Sequence, residues 1–225
     1  MTRKTIFKKY QWPFFMVGLL IGVSLFFAGK AYLLSIVLKE GDKAYKAKDY
    51  VLALKCYLKA AEKKSAMAER YLGFAYASGL GTPQDYHESM KWYRLAAAQG
   101  DAKSQDWVGY FYHFGYGVPV DYKEAMKWYQ LSAAQGFDWA EYNIGILYAN
   151  GNGVTRDYQE AFKWYLKAAE KGNSSAQFSL ASLYETGKGV ARDRGEALKW
   201  YEKSAAQGNE KAKAIVNKFK VKIAK

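Results

Sequence analysis

The sequence predicts an all-α protein, a solenoid of helix-turn-helix repeats with a 36-residue period, preceded by one transmembrane helix. Three observations predict it. Trp92, Trp128, Trp164 and Trp200 are each followed by tyrosine and stand 36 residues apart without slippage, the mark of a repeat array. Only three prolines interrupt a chain rich in Ala, Lys, Leu and Tyr, which favours helix over a turn-rich all-β fold. From Tyr10 to Gly29 no residue is charged. A helix of that length, at about 1.5 Å of rise per residue, spans about 30 Å, the hydrocarbon thickness of a bilayer.

Residues 1–12 form a basic N-terminal segment in which Arg3, Lys4, Lys8 and Lys9 precede the apolar run. The transmembrane helix is placed at 13–38. Pro13 suits its first turn, and apolar residues resume after Lys30 with Tyr32, Leu33, Leu34, Ile36, Val37 and Leu38. A cleaved signal peptide is the alternative, since the basic cluster makes a good n-region. The nearest cleavage site, Ala28-Gly29-Lys30-Ala31, carries a disfavoured lysine and is followed by more apolar residues, so the segment reads as an uncleaved signal anchor. The basic cluster should hold the N-terminus in the cytoplasm and place the repeats on the non-cytoplasmic side, periplasmic if the host is bacterial.

The first repeat unit, 41–65, is degenerate: Asp49, Tyr50, Ala53, Tyr57, Ala60 and Ala61 keep the register, but Cys56 stands at the tryptophan position. Four full units fill 66–209. The 36-residue step also relates Asp85, Asp121, Asp157 and Asp193; the glycine pairs beginning Gly79/Gly81; and Gly100, Gly136, Gly172 and Gly208. Each unit reads as two helices joined by a G-x-G loop. The aspartate is placed as an N-cap, with a glutamate three residues on (Glu88, Glu124, Glu160, Glu196) completing a capping box, and the later glycine as a C-cap. The four tryptophans are expected to fill the same space between helices in every unit. Residues 210–225 form a basic C-terminal capping helix.

The formal charge of +13 raises the possibility of nucleic-acid binding. Its distribution argues otherwise: residues 1–40 hold six basic residues and one acidic, residues 210–225 the same, and the long middle stretch is nearly balanced. No nucleic-acid partner is predicted. One cysteine excludes a disulfide framework and a thiolate zinc site. The two histidines, His87 and His113, fall at different phases of the repeat, so no metal-ligand spacing joins them. No nucleophile-and-base arrangement is visible. Four equivalent G-x-G loops are punctuation; a dinucleotide fingerprint would need a third glycine and a preceding strand. No cofactor, metal or catalytic residue is predicted.

The motifs Leu-Gly-x-x-Tyr, G-x-G-Val, Asp-Tyr-x-x-Ala-x-x-Trp-Tyr, Ala-Ala and Gly, best displayed from Asn143 to Gly172, resemble Sel-one-like repeats, relatives of the tetratricopeptide repeat. The resemblance covers roughly 41–209. It implies a right-handed α-solenoid that acts as an adaptor for another protein or peptide. The first unit departs from the motif with Lys43 and Tyr45 in place of the loop glycines, and the last with Arg194 for tyrosine and Ala181 for glycine, as terminal repeats do.

Comparison of the repeats with one another locates a candidate binding face. In the first helix of each unit Leu72, Gly73, Tyr76 and their counterparts stay nearly constant, as packing requires. Positions between them vary and are rich in aromatics: Tyr71 and Phe74, then Trp107, Tyr110, His113 and Phe114, then Trp139, Tyr142, Asn143 and Ile146. In stacked helix pairs these would line the concave surface, and packing alone would have made them alike. The expected function is therefore a membrane-tethered scaffold that binds a protein on this face, with a cell-wall-related or other hydrolase on a repeat scaffold as the alternative.

Overall fold

The computed structural model describes residues 31–223. Helix α1 covers 31–46, followed by α2 (Tyr50–Ala61), α3 (Ala66–Ser78), α4 (Tyr86–Ala98), α5 (Ala102–Phe114), α6 (Tyr122–Ala134), α7 (Asp138–Asn150), α8 (Tyr158–Glu170), α9 (Ser174–Thr186), α10 (Arg194–Ala206) and α11 (Glu210–Ile223), with no strand among the described residues. Odd-numbered helices open a repeat and even-numbered helices close it. Every extensive contact between helices α2 to α11 joins neighbours in sequence, so the structure is quasi-one-dimensional: each unit is held by the one before and the one after.

Among the described residues no helix is long and apolar enough to cross a membrane, and residues 13–30 of the predicted span lie outside them, as does the basic segment 1–12. The remaining part of that span, 31–38, opens α1. There Leu34, Val37 and Leu38 pack against the cluster of Ala44, Ala53, Tyr57 and Leu72, so these residues belong to a helix that joins the core of the first repeat.

Helix ends follow the local chemistry. Gly79, with φ of 68°, halts α3 in the left-handed region, where its N–H donates to the Ala75 carbonyl. The same stop recurs at Gly115, Gly151 and Gly187. The second loop glycine meets a different demand. A Cβ on Gly117 would stand 2.7 Å from the Tyr86 carbonyl carbon and oxygen, and Gly81, Gly153 and Gly189 sit equally tightly against the first residue of the preceding closing helix. The loop of each repeat thus docks on the backbone of the repeat before it.

Asp85, Asp121, Asp157 and Asp193 are N-caps whose Oδ1 accepts from the N–H three residues on, an arrangement that typically stabilises a helix by about 1 kcal/mol. The capping box is only half made. The N–H of each aspartate already donates to the tyrosine carbonyl of the opening helix (Tyr76, Tyr112, Tyr148, Tyr184), so the glutamate has no N–H to cap. Glu88, Glu124, Glu160 and Glu196 turn instead to Lys91, Lys127, Lys163 and Lys199, exposed pairs of small energetic weight.

The core corrects the expectation for tryptophan. The residues that fill the space within each helix pair are the tyrosines after them: Tyr93, Tyr129, Tyr165 and Tyr201 are all buried. Each of the first three rings lies on a glycine of the opening helix, and a Cβ on Gly73, Gly109 or Gly145 would meet it at 2.7, 2.7 or 2.5 Å. The tryptophans, about 100° further round the helix, are only partly buried. Trp92, Trp128 and Trp164 pack against the core of the preceding repeat and so seal the junction between units. On their outer side Lys167 and Lys203 lie over Trp164 and Trp200.

A polar ladder that sequence periodicity did not expose ties the two ends of each of the four full repeats together. Gln99 Nε2 donates to Glu69 Oε2 at 2.6 Å, Gln135 to Gln105 at 2.8 Å, Lys171 Nζ to Glu141 at 2.7 Å and Gln207 to Gln177 at 2.9 Å. The inner member of every rung is buried, so its polar atoms would be costly to leave without partners.

Candidate functional site

The variable face of α3, α5 and α7 carries all ten candidate residues, and the structure divides them into two sets. Tyr71 stacks on Tyr57 with ring centroids 4.7 Å apart and planes at 10°, and Trp107 stacks on Tyr93 at 5.6 Å and 10°. These rings cover the core tyrosine of the preceding repeat, and each keeps its other side partly open. At the equivalent position the third unit has Asn143. It is buried, and its Nδ2 donates to Asp106 Oδ1 at 2.9 Å. His113 is also buried, stacked on Phe114 at 4.3 Å with its Nδ1 3.3 Å from the Tyr129 hydroxyl. Burial lowers the His113 pKa, so its neutral form is favoured. Asn143 and His113 therefore lie beneath the face and support it; neither presents a contact surface.

The remaining candidates reach the surface. Phe114 is 49% exposed and Trp139 48%, while Phe74, Tyr110, Tyr142 and Ile146 are partly exposed. Tyr110 and Phe114 pack at 4.5 Å, Trp107 lies edge-on to Tyr110 at 5.3 Å, and Trp139 lies edge-on to Tyr142 at 6.0 Å. The rings on α5 and those on α7 are thus each prearranged by ring-to-ring contacts within their own group.

One member was not picked out from the sequence. Tyr116, the middle residue of its G-x-G loop, joins the patch 4.8 Å from Tyr86 and 5.9 Å from Tyr110. A signal for it existed, because the other loops carry Leu80, Asn152 and Lys188 there. Asp106 is buried under the patch. Burial pushes its carboxyl pKa up to about 7, against the opposing pull of the Asn143 hydrogen bond and with a smaller push from Asp138.

The hydroxyls of Tyr129 and Tyr201 meet one recurring position of the opening helix, and that of Tyr57 meets the residue after it. Tyr57 donates to Asp42 at 2.8 Å, Tyr129 lies beside His113, and Tyr201 donates to Glu185 at 2.9 Å. In the first full repeat that position is Ala77, and the buried Tyr93 hydroxyl has no partner.

Comparison with known proteins follows the repeat boundaries. The family described as Sel1 repeat matches residues 31–65, 66–101, 102–137, 140–173 and 174–209. Among curated proteins none matches the chain. Among solved structures, the chain is similar to a protective antigen present in uropathogenic Escherichia coli strains that displays an SLR fold. The two share 36% identity over 83% of this chain, with a TM-score of 0.74, and the chain spans 41% of that antigen's length. It is similar also to a Sel1 repeat protein from Oxalobacter formigenes, at 35% identity, 80% of this chain, 74% of that one and a TM-score of 0.76. An immunity protein from Pseudomonas aeruginosa shares the fold alone, at 21% identity over 77% of this chain and 67% of that one, with a TM-score of 0.54.

Proposed function

The chain belongs to the Sel1 repeat family, whose members are in general protein-interaction scaffolds, and we propose that this one is a membrane-tethered adaptor that holds a protein or peptide on the variable face of its second and third full repeats. The observation that carries the reading is the pair Phe114 and Trp139, each about half exposed. The residues at the position of Phe114 in the other full repeats are Ser78, Asn150 and Thr186, and those at the position of Trp139 are Met67, Lys103 and Ser175. The fold does not need an aromatic at either place, whereas a partner gains from large rigid rings at little cost in conformational entropy.

The tether rests on the uncharged run Tyr10 to Gly29 behind Arg3, Lys4, Lys8 and Lys9, which favours repeats on the non-cytoplasmic side. A hydrolase on this scaffold would need an accessible nucleophile beside a base. The His113 and Tyr129 pair lies buried under the aromatic patch and offers a substrate no access.

The test is crosslinking from membranes through a photoreactive group at Lys103, an exposed neighbour of the patch, followed by titration of the captured partner against Phe114→Ala and Trp139→Ala. The expected result is a loss of about 2 kcal/mol of binding free energy in at least one variant with unchanged melting temperature. Full affinity in the double variant would remove the assignment of this face.

A further inference from the structure

The first repeat differs from the other four in two independent respects. One is charge. Residues 31–65 hold eight lysines and four carboxylates, whereas each of the four repeats after it lies within one charge of neutrality. All eight lysines are exposed. The other is an apolar surface that no element among the described residues covers. Helix α1 buries Leu34, Val37 and Leu38 on one side, yet on the other Tyr32 is 67% exposed, Leu33 63% and Ile36 42%. A helix apolar on all sides is stable where every side is out of water, and among the described residues nothing covers the outer side of this one.

The two features coincide in space. Helices α1 and α2 run antiparallel, with Gly41 against Cys56 and Tyr57, and the Tyr57 hydroxyl donating to Asp42. That register sets the last turn of α2 level with about residues 36–39 of α1, and the residues just after α2 level with Leu33 and Leu34. Lys59, Lys63 and Lys64, with the exposed Leu58, are thus at the same end of the first repeat as the exposed apolar strip, the end nearer in sequence to the uncharged run Tyr10 to Gly29.

We infer that the first repeat is seated on an anionic lipid surface. Tyr32, Leu33 and Ile36 enter the interface, and the lysines at the end of α2 pair with lipid phosphates. An apolar strip next to a row of lysines with flexible apolar stems is the combination a charged bilayer surface accommodates, and neither water nor a neutral protein face satisfies both halves of it. The inference rests on the membrane tether proposed above and adds to it: the solenoid stands in a fixed attitude to the membrane, held by its first unit, and does not swing from a free linker.

The experiment uses the full chain in a Cys56→Ser background, with a fluorophore on Glu62→Cys in the first repeat or on Glu202→Cys in the last, both exposed positions. The protein is reconstituted in vesicles of phosphatidylcholine alone or mixed with phosphatidylglycerol, each doped with a headgroup-nitroxide lipid. The expected result is strong quenching of the Glu62 label in the anionic vesicles. That quenching is lost in high salt and in a variant carrying Lys59→Glu, Lys63→Glu and Lys64→Glu that keeps its circular dichroism, while the Glu202 label stays bright throughout. If the chain floats with the vesicles but the two labels behave alike, or if anionic lipid makes no difference, the seating is wrong and the tether stands. Failure to float at all removes the tether and the seating with it. Self-quenching between Glu62 labels that does not depend on lipid composition would assign the patch to a second copy of the chain and overturn the proposal.

Discussion

Tyr129 occupies the place a side chain on Gly109 would take: a Cβ there would stand 2.7 Å from its ring. The same contact recurs with Tyr93 on Gly73 and Tyr165 on Gly145, and it sets how closely the two helices of a repeat approach. In the last full repeat Ala181 stands against Tyr201, so that pair accommodates one more carbon.

Gly109→Ala is accordingly expected to destabilise the protein. Alanine favours a helix by about 1 kcal/mol over glycine, but overpacking against the Tyr129 ring costs about 1–3 kcal/mol. Tyr165→Ala should cost about 3–5 kcal/mol, and Trp164→Ala, at a half-open junction, clearly less. Denaturant melts of the three variants test the order. A tryptophan loss equal to the tyrosine loss would contradict the core described here.

The tyrosine hydroxyls provide a paired comparison. Tyr93→Phe removes a buried hydroxyl that has no partner and should leave stability unchanged or raise it by about 1 kcal/mol. Tyr201→Phe breaks the 2.9 Å bond to Glu185 and should lower it by about 1–2 kcal/mol. Opposite outcomes in a thermal melt are the signature; equal ones would mean that Tyr93 finds a partner in solution.

Lys64 takes φ of 57° at the position where the later repeats place Gly100, Gly136, Gly172 and Gly208. A left-handed non-glycine residue costs on the order of 1 kcal/mol, so Lys64→Gly should raise the melting temperature even though it removes a side chain. A fall in melting temperature would show that the strain is relieved in another way.

Asp106 makes stability depend on pH. Its folded pKa, about 7, lies above the ordinary carboxyl value, so the folded state holds its proton more tightly than the unfolded chain does. Its contribution to stability is complete below pH of about 4, falls as pH rises toward 7 and levels off above that. Asp106→Asn keeps an acceptor for Asn143 and removes the titration. It should stabilise the protein at pH 8 by roughly a few kcal/mol at most and make little difference at pH 4, as read from urea melts at the two pH values.

The helix pairs, their loops and their caps were legible because each depends on residues close in sequence and is repeated. The swap of tryptophan for tyrosine in the core was not. Trp128 and Tyr129 recur with equal regularity, and only the glycine that makes room for one of them, Gly109 on the other helix, distinguishes the two. Phe114 and Trp139 could be singled out by comparing repeats, since packing did not require them. The burial of His113 and Asn143 was hidden for the opposite reason: whether a residue on that side of α5 or α7 is covered depends on the adjoining repeat and on ring stacking. Tyr116 was missed because the loops were read as breaks between helices.

The second glycine of each loop bears on how such an array lengthens over generations. Gly81, Gly117, Gly153 and Gly189 rest on main-chain atoms that every unit possesses at the same place, and a backbone carbonyl does not change when its side chain mutates. A duplicated or transplanted unit therefore finds a ready seat on either neighbour, whatever amino acids its variable face has acquired. Inheritance can then act on the two kinds of surface separately, conserving the joint and altering what it displays, so the number of units and the choice of target can evolve independently.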